Sequence, residues 1–316
     1  MKILIGISAC LTGEAVRYDK SHKRSNFCMN ELSKHVEFKP VCPEVAIGMN
    51  VPRPTIRQVK QGKEIRVTQS NGTGDVTDKL RQFGENVAAN SSHLSGFIFT
   101  AKSPSCGMER VKVYHQDEEG NIIGSESTGV GLFAAEIMKH NPALPCEENG
   151  RLNDPIIKEN FILRVFAYHH WLSITKNDMS KHKLIQFHSQ YKYLLLSHSQ
   201  RTYRELGRLL ATSKQDLVEL CQTYIVQFMT ALKQKATRRS HCNTLQHIQG
   251  YFSKYLDKQQ KMELTQQIHD YREGLTPLVA PLTLIKHYLM LHPNQYLARQ
   301  RYLEPYPAEL RLRYGY

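Results

Sequence analysis

The residues of this chain best suited to chemistry are three of its cysteines. Cys10 follows the apolar run from Ile3 to Ser8, and Cys42 follows Val36 to Val41. Cys106 follows Gly96-Phe97-Ile98-Phe99-Thr100 across the polar turn Ala101-Lys102-Ser103-Pro104-Ser105. Each run reads as a strand, and the first and last are apolar enough to be covered on both faces. Open α/β sheets bind ligands beyond the carboxyl ends of their strands, so three cysteines at three such ends open onto one rim. Three thiolates there could hold zinc with water as fourth ligand, or an iron-sulfur cluster with one iron lacking a protein ligand. No histidine falls near a strand end to complete a zinc set, and the cysteines come from distant segments rather than close-spaced pairs, which favours iron. Cys28, Cys146, Cys221 and Cys242 lie in helical or irregular contexts and are read as packing.

The elements that must position these residues alternate through the first half. Strands are expected at 3–8, 36–41, 64–68 and 96–100, helices at 26–35, 78–90 and 129–140, and a hairpin from 111 around the acidic turn at 117–121. The segment ending at Cys146 returns to the sheet. Gly72 to Thr77 could cradle phosphate, but plain turn and cap chemistry explains it as well. Residues 1–150 are therefore expected to form an α/β domain, Rossmann-like with a mostly parallel sheet. From Asp154 onward strand signals vanish and helical spacing continues to Glu304, so 151–316 is expected to be an all-α domain. The polar stretch 147–155 reads as the linker.

Composition separates the same halves. Residues 1–150 carry 18 Lys+Arg against 17 Asp+Glu, and 151–316 carry 24 against 12, so the second half holds +12 of the total +13. Of 16 tyrosines, only Tyr18 and Tyr114 lie in the first half. A basic, tyrosine-rich half beside a neutral, cysteine-rich half points to a polyanion-binding module joined to a reaction module. The odd count of seven cysteines without a close-spaced framework fits a reducing compartment. No run has the roughly 20 apolar residues of a membrane span, and the start reads as a strand rather than a signal peptide. The expectation is a cytoplasmic protein with no membrane partner.

The motifs Ser8-Ala9-Cys10-Leu11-Thr12-Gly13, Val16-Arg17-Tyr18-Asp19, Val41-Cys42-Pro43-Glu44, Val51-Pro52-Arg53, Gly74-Asp75-Val76-Thr77 and Lys102-Ser103-Pro104-Ser105-Cys106-Gly107 together resemble the thiouracil desulfidase family. The match runs in order over about the first 150 residues. The helical half beyond it resembles the domain fused to this module in bacterial desulfidases that act on 4-thiouridine in tRNA. The resemblance implies a 4Fe-4S cluster with three ligands, Cys10, Cys42 and Cys106, whose one open iron binds the sulfur of a thiolated pyrimidine. It also implies catalytic roles for Glu44 and Ser103. Sulfur bound to a Lewis-acidic iron has a polarised C-S bond, a carboxylate two residues from a ligand could activate water, and Ser103 could shuttle a proton or orient the base. Helix capping by Glu44 and turn capping by Ser103 are the plainer alternatives. Arg17, Asp19 and Arg53 are candidates for binding substrate or fixing loops. The sequence departs from the pattern at Lys20-Ser21-His22-Lys23, where many relatives carry glycine, and at Pro54 to Gln58, where some free-base enzymes carry an acidic residue.

The expected function is desulfidation of 4-thiouridine in tRNA to uridine, with RNA contacts from Lys181, Lys183, Arg201, Arg204, Arg208, Arg238 and Arg239. The alternatives are a desulfidase of free thiopyrimidines such as thiouracil, and a non-enzymatic, cluster-containing RNA-binding redox sensor.

Overall fold

The computed structural model describes residues 2–117, 119–176 and 179–313. The chain divides between Asp154 and Pro155 into two compact units. The first unit contains β1 (Leu4–Ser8), β2 (Glu37–Val41), α1 (Pro43–Ala46), β3 (Ile56–Gln61), β4 (Glu64–Gln69), α2 (Thr77–Ala89), β5 (Gly96–Phe99), β6 (Val111–Gln116), β7 (Ile122–Gly129), α3 (Leu132–His140) and β8 (Cys146–Glu148).

One sheet has the order β2-β1-β5-β8 and is parallel throughout. Ile5, Ile7 and every residue of β5 are buried, as strands covered on both faces require. Strand order reverses beside β1, with β2 to one side and β5 and β8 to the other, so a crevice opens past the carboxyl ends of β1 and β5. The second sheet, β4-β3-β6-β7, is mixed: β3 and β6 run parallel, and each has an antiparallel hairpin partner outside it. Ile56 and Val67 of this sheet pack with Val76, Leu80 and Leu132 beneath α2 and α3.

Several expectations need correction. Residues 26–35 do not form a regular helix but a π turn, Phe27–Glu31, followed by a 3-10 turn, Leu32–Lys34. The Pro-containing crossover conceals β3, which pairs along its whole length with β4. The polar stretch 147–155 is not a linker: Glu147 and Glu148 sit buried in β8, and Arg151 pairs with Glu147 and Glu109 at 2.6 Å each. Gly72 to Thr77 serves as turn and cap. Asp75 accepts the Thr77 N–H at 2.8 Å, and the Thr77 hydroxyl accepts the Val67 N–H at 2.8 Å.

The second unit is helical: α4 (Pro155–Thr175), α5 (Lys181–His198), α6 (Gln200–Thr212), α7 (Leu217–Lys233), α8 (Arg238–Gln249), α9 (Lys258–Glu273), α10 (Val279–Leu291) and α11 (Gln295–Ala298). Ser180, Ser199, Asp216, Thr237, Asp257 and Asn294 each accept the N3 backbone N–H of the helix they open. Each such cap stabilises its helix by about 0.5–2 kcal/mol, and together they set the boundaries. The helix expected over 295–304 is only the four residues of α11. Phe187, Tyr191, Leu194 and Leu195 are buried, as their spacing predicts, in a core shared with Trp171, Tyr224 and Phe228. No helix among the described residues is long and apolar enough to cross a membrane.

Buried polar groups of the first unit hold the turn that follows β5. Gln58, fully buried, donates through Nε2 to the carbonyls of Pro104 (3.1 Å) and Val130 (2.7 Å). Glu148 accepts the Met108 N–H at 2.7 Å, and Asn149 accepts the Ala101 N–H at 3.0 Å. Gln58→Ala removes the amide donor of the Val130 carbonyl and one of the two donors to the Pro104 carbonyl, so unfolding free energy in urea should fall by about 1–3 kcal/mol. An unchanged midpoint contradicts that role for Gln58.

Candidate active site

Cys10 lies in a 3-10 turn, Ala9–Leu11, that begins as β1 ends. Cys42 is the N-cap of α1, with Pro43 at its first position and Glu44 in its first turn. Cys106 ends the turn after β5. Within that turn Ser103 uses its hydroxyl to accept the Cys106 N–H (3.2 Å) and its carbonyl to accept the Gly107 N–H (2.7 Å). Lys102 has φ +63°, a left-handed conformation that costs a non-glycine residue about 1–3 kcal/mol and is held here by its surroundings. The start of α3 closes on the same turn: Gly131, Leu132 and Ala134 donate their N–H groups to the carbonyls of Gly107, Pro104 and Ser105. A Cβ at Gly131 would lie 2.6 Å from the Ser105 carbonyl carbon and 2.7 Å from the Cys106 nitrogen. Only glycine permits that approach.

All three cysteines line one cavity of about 260 Å³, together with Glu44, Ser103, Arg17, Arg53, Lys23 and Lys102. The Glu44 carboxylate is committed at both oxygens. Oε2 accepts from Arg53 Nε (3.0 Å) and Nη2 (2.5 Å), and Oε1 accepts from the Ser105 hydroxyl (2.8 Å). Ser105 in turn lies 3.0 Å from the Ser103 hydroxyl. A continuous chain, Arg53-Glu44-Ser105-Ser103, therefore crosses the cavity wall.

Burial pushes the thiols of Cys10, Cys42 and Cys106 above their ordinary value, and the negative charge of Glu44 adds to the rise at all three. Arg17 and Lys23 oppose it at Cys10, and Arg53 opposes it at Cys42. Each sulfur keeps its proton at neutral pH unless a cation replaces it. Among the described residues, no three His, Cys, Asp or Glu side chains gather closely enough for a single metal ion, and no histidine lines the cavity. An iron-sulfur cluster takes one thiolate on each of several irons, which suits soft sulfur donors spread around a cavity. Three thiols spread around a pocket of this size, with cations in its wall to offset the thiolate charge, fit such a group.

The structure thus brings together Cys10, Cys42, Cys106, Glu44, Ser103, Arg17 and Arg53. Asp19 does not join them: it is exposed, and its carboxylate accepts the Ser21 N–H (3.1 Å) and hydroxyl (2.5 Å), so it fixes its own loop. Arg53 spends four of its five N–H donors on Glu44 and the carbonyls of Val16 (2.9 Å) and Asn50 (3.3 Å), which makes it a clamp on Glu44. Sequence reasoning missed Ser105, Lys23 and Lys102. The one available signal for Ser105 was its place beside Cys106. Of the basic residues expected to meet RNA, Lys181 and Lys183 open α5, and Arg204 and Arg208 are exposed on α6. Arg201 pairs with Glu205 at 2.7 Å, Arg238 donates to the Tyr271 carbonyl at 3.2 Å, and Arg239 is exposed on α8.

Comparison with known proteins places this geometry. Residues 5–149 match the profile described as 2-thiouracil desulfurase. By its first half the chain belongs to the 2-thiouracil desulfurase family. Residues 192–307 match a family described as a protein of unknown function, DUF1722. The protein YbgA of Escherichia coli (strain K12), described as uncharacterized, is 36% identical over 159 residues, 50% of this chain and 94% of YbgA. A solved structure of the 4Fe-4S-dependent thiouracil desulfidase TudS is similar at 29% identity over 48% of this chain and 95% of that one, with a TM-score of 0.39. The 2-thiouracil desulfurase module makes the protein a desulfidase, and the cavity of the three cysteines is its candidate reaction site.

In this desulfidase Ser105 is the bridge between Glu44 and Ser103. Ser105→Ala should lower kcat for desulfidation on the order of 10²-fold, the scale of a lost acid-base group. Iron content and KM should stay within about twofold of wild type, since the interaction serves the chemical step. Steady-state kinetics on anaerobically prepared protein measures this, and an unchanged kcat removes Ser105 from the reaction.

Proposed function

We propose that this desulfidase replaces the sulfur of a thiolated uridine in tRNA by the oxygen of water, using a 4Fe-4S cluster held by Cys10, Cys42 and Cys106. The convergence of the buried Cys10 and Cys106 and the half-buried Cys42 on one cavity with Glu44 supports the cofactor. The observation that carries the tRNA reading is charge: 24 Lys+Arg against 12 Asp+Glu in residues 151–316, beside a near-neutral catalytic half.

When bound, the cluster supplies a soft Lewis acid for the thiocarbonyl sulfur at an iron without a protein ligand. The chain's own residues do the rest. Glu44, held in one orientation by Arg53, takes a proton from the water that attacks the ring carbon. Ser105 and Ser103 extend that carboxylate toward the open cavity, where Ser103 holds or returns a proton at the base. The exchange is hydrolytic: C=S and H₂O become C=O and H₂S, with no electrons transferred. Arg17, Lys23 and Lys102 line the cavity and enter no ion pair among the described residues, which suits a substrate carrying phosphate.

A free thiopyrimidine is the second reading. The cavity is built from residues 8–106 alone, so a free base needs nothing from the helical unit. A non-enzymatic sensor is set aside by the desulfurase family itself.

Anaerobically loaded protein should contain iron and sulfide and absorb broadly in the visible, and Cys106→Ala should lose both signals. Mass spectrometry should show sulfur leaving 4-thiouridine in tRNA at low salt, with turnover falling steeply as salt rises, while turnover of free thiouracil responds weakly. Thiolated tRNA that keeps its sulfur, alongside active turnover of thiouracil, assigns the free-base reaction instead.

A further inference from the structure

The helical unit carries an open groove in which cations, tyrosines and bare backbone meet. Two adjoining hollows of about 740 and 820 Å³ share Ile185, Ser189 and Tyr296 and so form one continuous depression along α5. One end carries Lys192 of α5 with Arg204 and Arg208 of α6, and the other carries Arg299 and Arg301 just past α11. Arg204 and Arg208 are four residues apart on one helix face, where like charges repel. None of the five enters an ion pair among the described residues. The acids nearest in sequence are already spent: Glu205 on Arg201 and Glu304 on Lys286, each at 2.7 Å. Glu304 is the acid in the groove's lining and is paired with Lys286, so the five cations give the groove a net positive charge.

Its walls are not merely charged. Tyr203 lies beneath the Lys192 ammonium, with Nζ 5.9 Å from the ring centroid. Tyr251 and Tyr296 stack with ring centroids 5.8 Å apart and 22° between planes, and Tyr251 is 37% exposed. Gly207 lies between the two arginines in the interior of α6, a position that disfavours glycine. A Cβ there would meet nothing within 4 Å, so no packing demands the glycine. Its effect is to leave the helix backbone bare at the groove surface, where a phosphate or ribose can come close.

We infer that this groove binds an unpaired stretch of RNA, with phosphates on Lys192, Arg204, Arg208, Arg299 and Arg301 and bases against the exposed Tyr251 ring and the half-buried rings of Tyr203 and Tyr296. The inference rests on the reading that the substrate is RNA and adds where the helical unit holds it. An acidic polypeptide would meet the same charge, but the stacked tyrosines and the uncovered glycine favour flat bases on a sugar-phosphate chain.

Full-length protein and unmodified tRNA in fluorescence anisotropy test it. The double substitutions Arg204→Gln with Arg208→Gln, and Arg299→Gln with Arg301→Gln, should each weaken binding about tenfold or more and flatten the log-log salt dependence by about 1.4–1.8, as expected for two lost phosphate contacts. Lys258→Gln with Lys261→Gln on α9 removes the same charge outside the groove and should leave affinity within about twofold of wild type. Gly207→Leu, which changes no charge and fills only open space, should weaken RNA binding while turnover of free thiouracil stays at the wild-type level. Groove variants that bind tRNA like wild type overturn the groove and leave the RNA reading standing. A wild-type protein that binds no tRNA overturns both. Equal weakening of polyglutamate and RNA binding, with Gly207→Leu without effect on RNA, overturns the assignment to nucleic acid.

Discussion

Three thiols gathered around one carboxylate, two of them buried and one half-buried, cannot all ionise without a cation among them, and much of the first unit is shaped by that constraint. Burial and the Glu44 charge hold the protons on Cys10, Cys42 and Cys106. Arg53 compensates Glu44 and spends four of its five donors on it and on two backbone carbonyls. If the proposed cluster is held here, the sulfurs must keep their positions both as neutral thiols and as ligands, which asks for rigid loops. That demand accounts for the buried polar groups gathered at the turn after β5: the Gln58 amide, the Glu148 carboxylate, the Asn149 side chain and the first N–H groups of α3. Each is a group that hydrophobic packing alone would exclude, and each bonds backbone in or beside the Cys106 turn, the Gln58 Oε1 alone of their atoms being left buried without a partner among the described residues.

The two oxygens of Glu44 explain how the remaining residues divide their work. With Oε2 on Arg53 and Oε1 on Ser105, the carboxylate has one orientation and one route for a proton, through the hydroxyls toward the cavity. Four of the five Arg53 N–H groups are spent on Glu44 and on the carbonyls of Val16 and Asn50, whereas Arg17, Lys23 and Lys102 line the cavity with no ion pair among the described residues. In the proposed reaction the clamp on Glu44 and the contacts to an anionic substrate therefore fall mainly to different cations of the same pocket.

The convergence of Cys10, Cys42 and Cys106 was legible in the sequence because each cysteine follows a run of strand character, and a parallel sheet turns three such ends into one rim. What was not legible is polar and buried. Glu147 and Glu148 read as a linker since acidic residues rarely enter a core, yet Arg151 and backbone N–H groups satisfy them in β8. Strand β3 was hidden by Pro52 and Pro54 before it and by Arg57, Gln58 and Lys60 within it. Ser105 shows no pattern in sequence because its role exists only once α1 brings Glu44 to within 2.8 Å across 61 residues of chain. The helices of the second unit were plain from spacing, but a run of basic residues looked uniform until Arg201 and Arg238 proved committed to protein partners and Arg204 and Arg208 did not.

The segregation of charge between the halves has a physical reason as well. Arg17 and Lys23 already oppose the burial-driven rise of the Cys10 thiol and Arg53 that of Cys42, and cations beyond these would favour thiolate further and crowd like charges into a partly buried pocket. The helical unit has no such restriction. Its helices are opened by Ser, Thr, Asp and Asn caps, and α6 turns Leu206 and Leu210 inward, so neither capping nor packing requires Arg204 or Arg208. Two arginines four residues apart cost the isolated helix a few tenths of a kcal/mol. Residues that disfavour their own helix and contact no acid are best understood by what they attract from solution, and on a unit carrying +12 that is a polyanion.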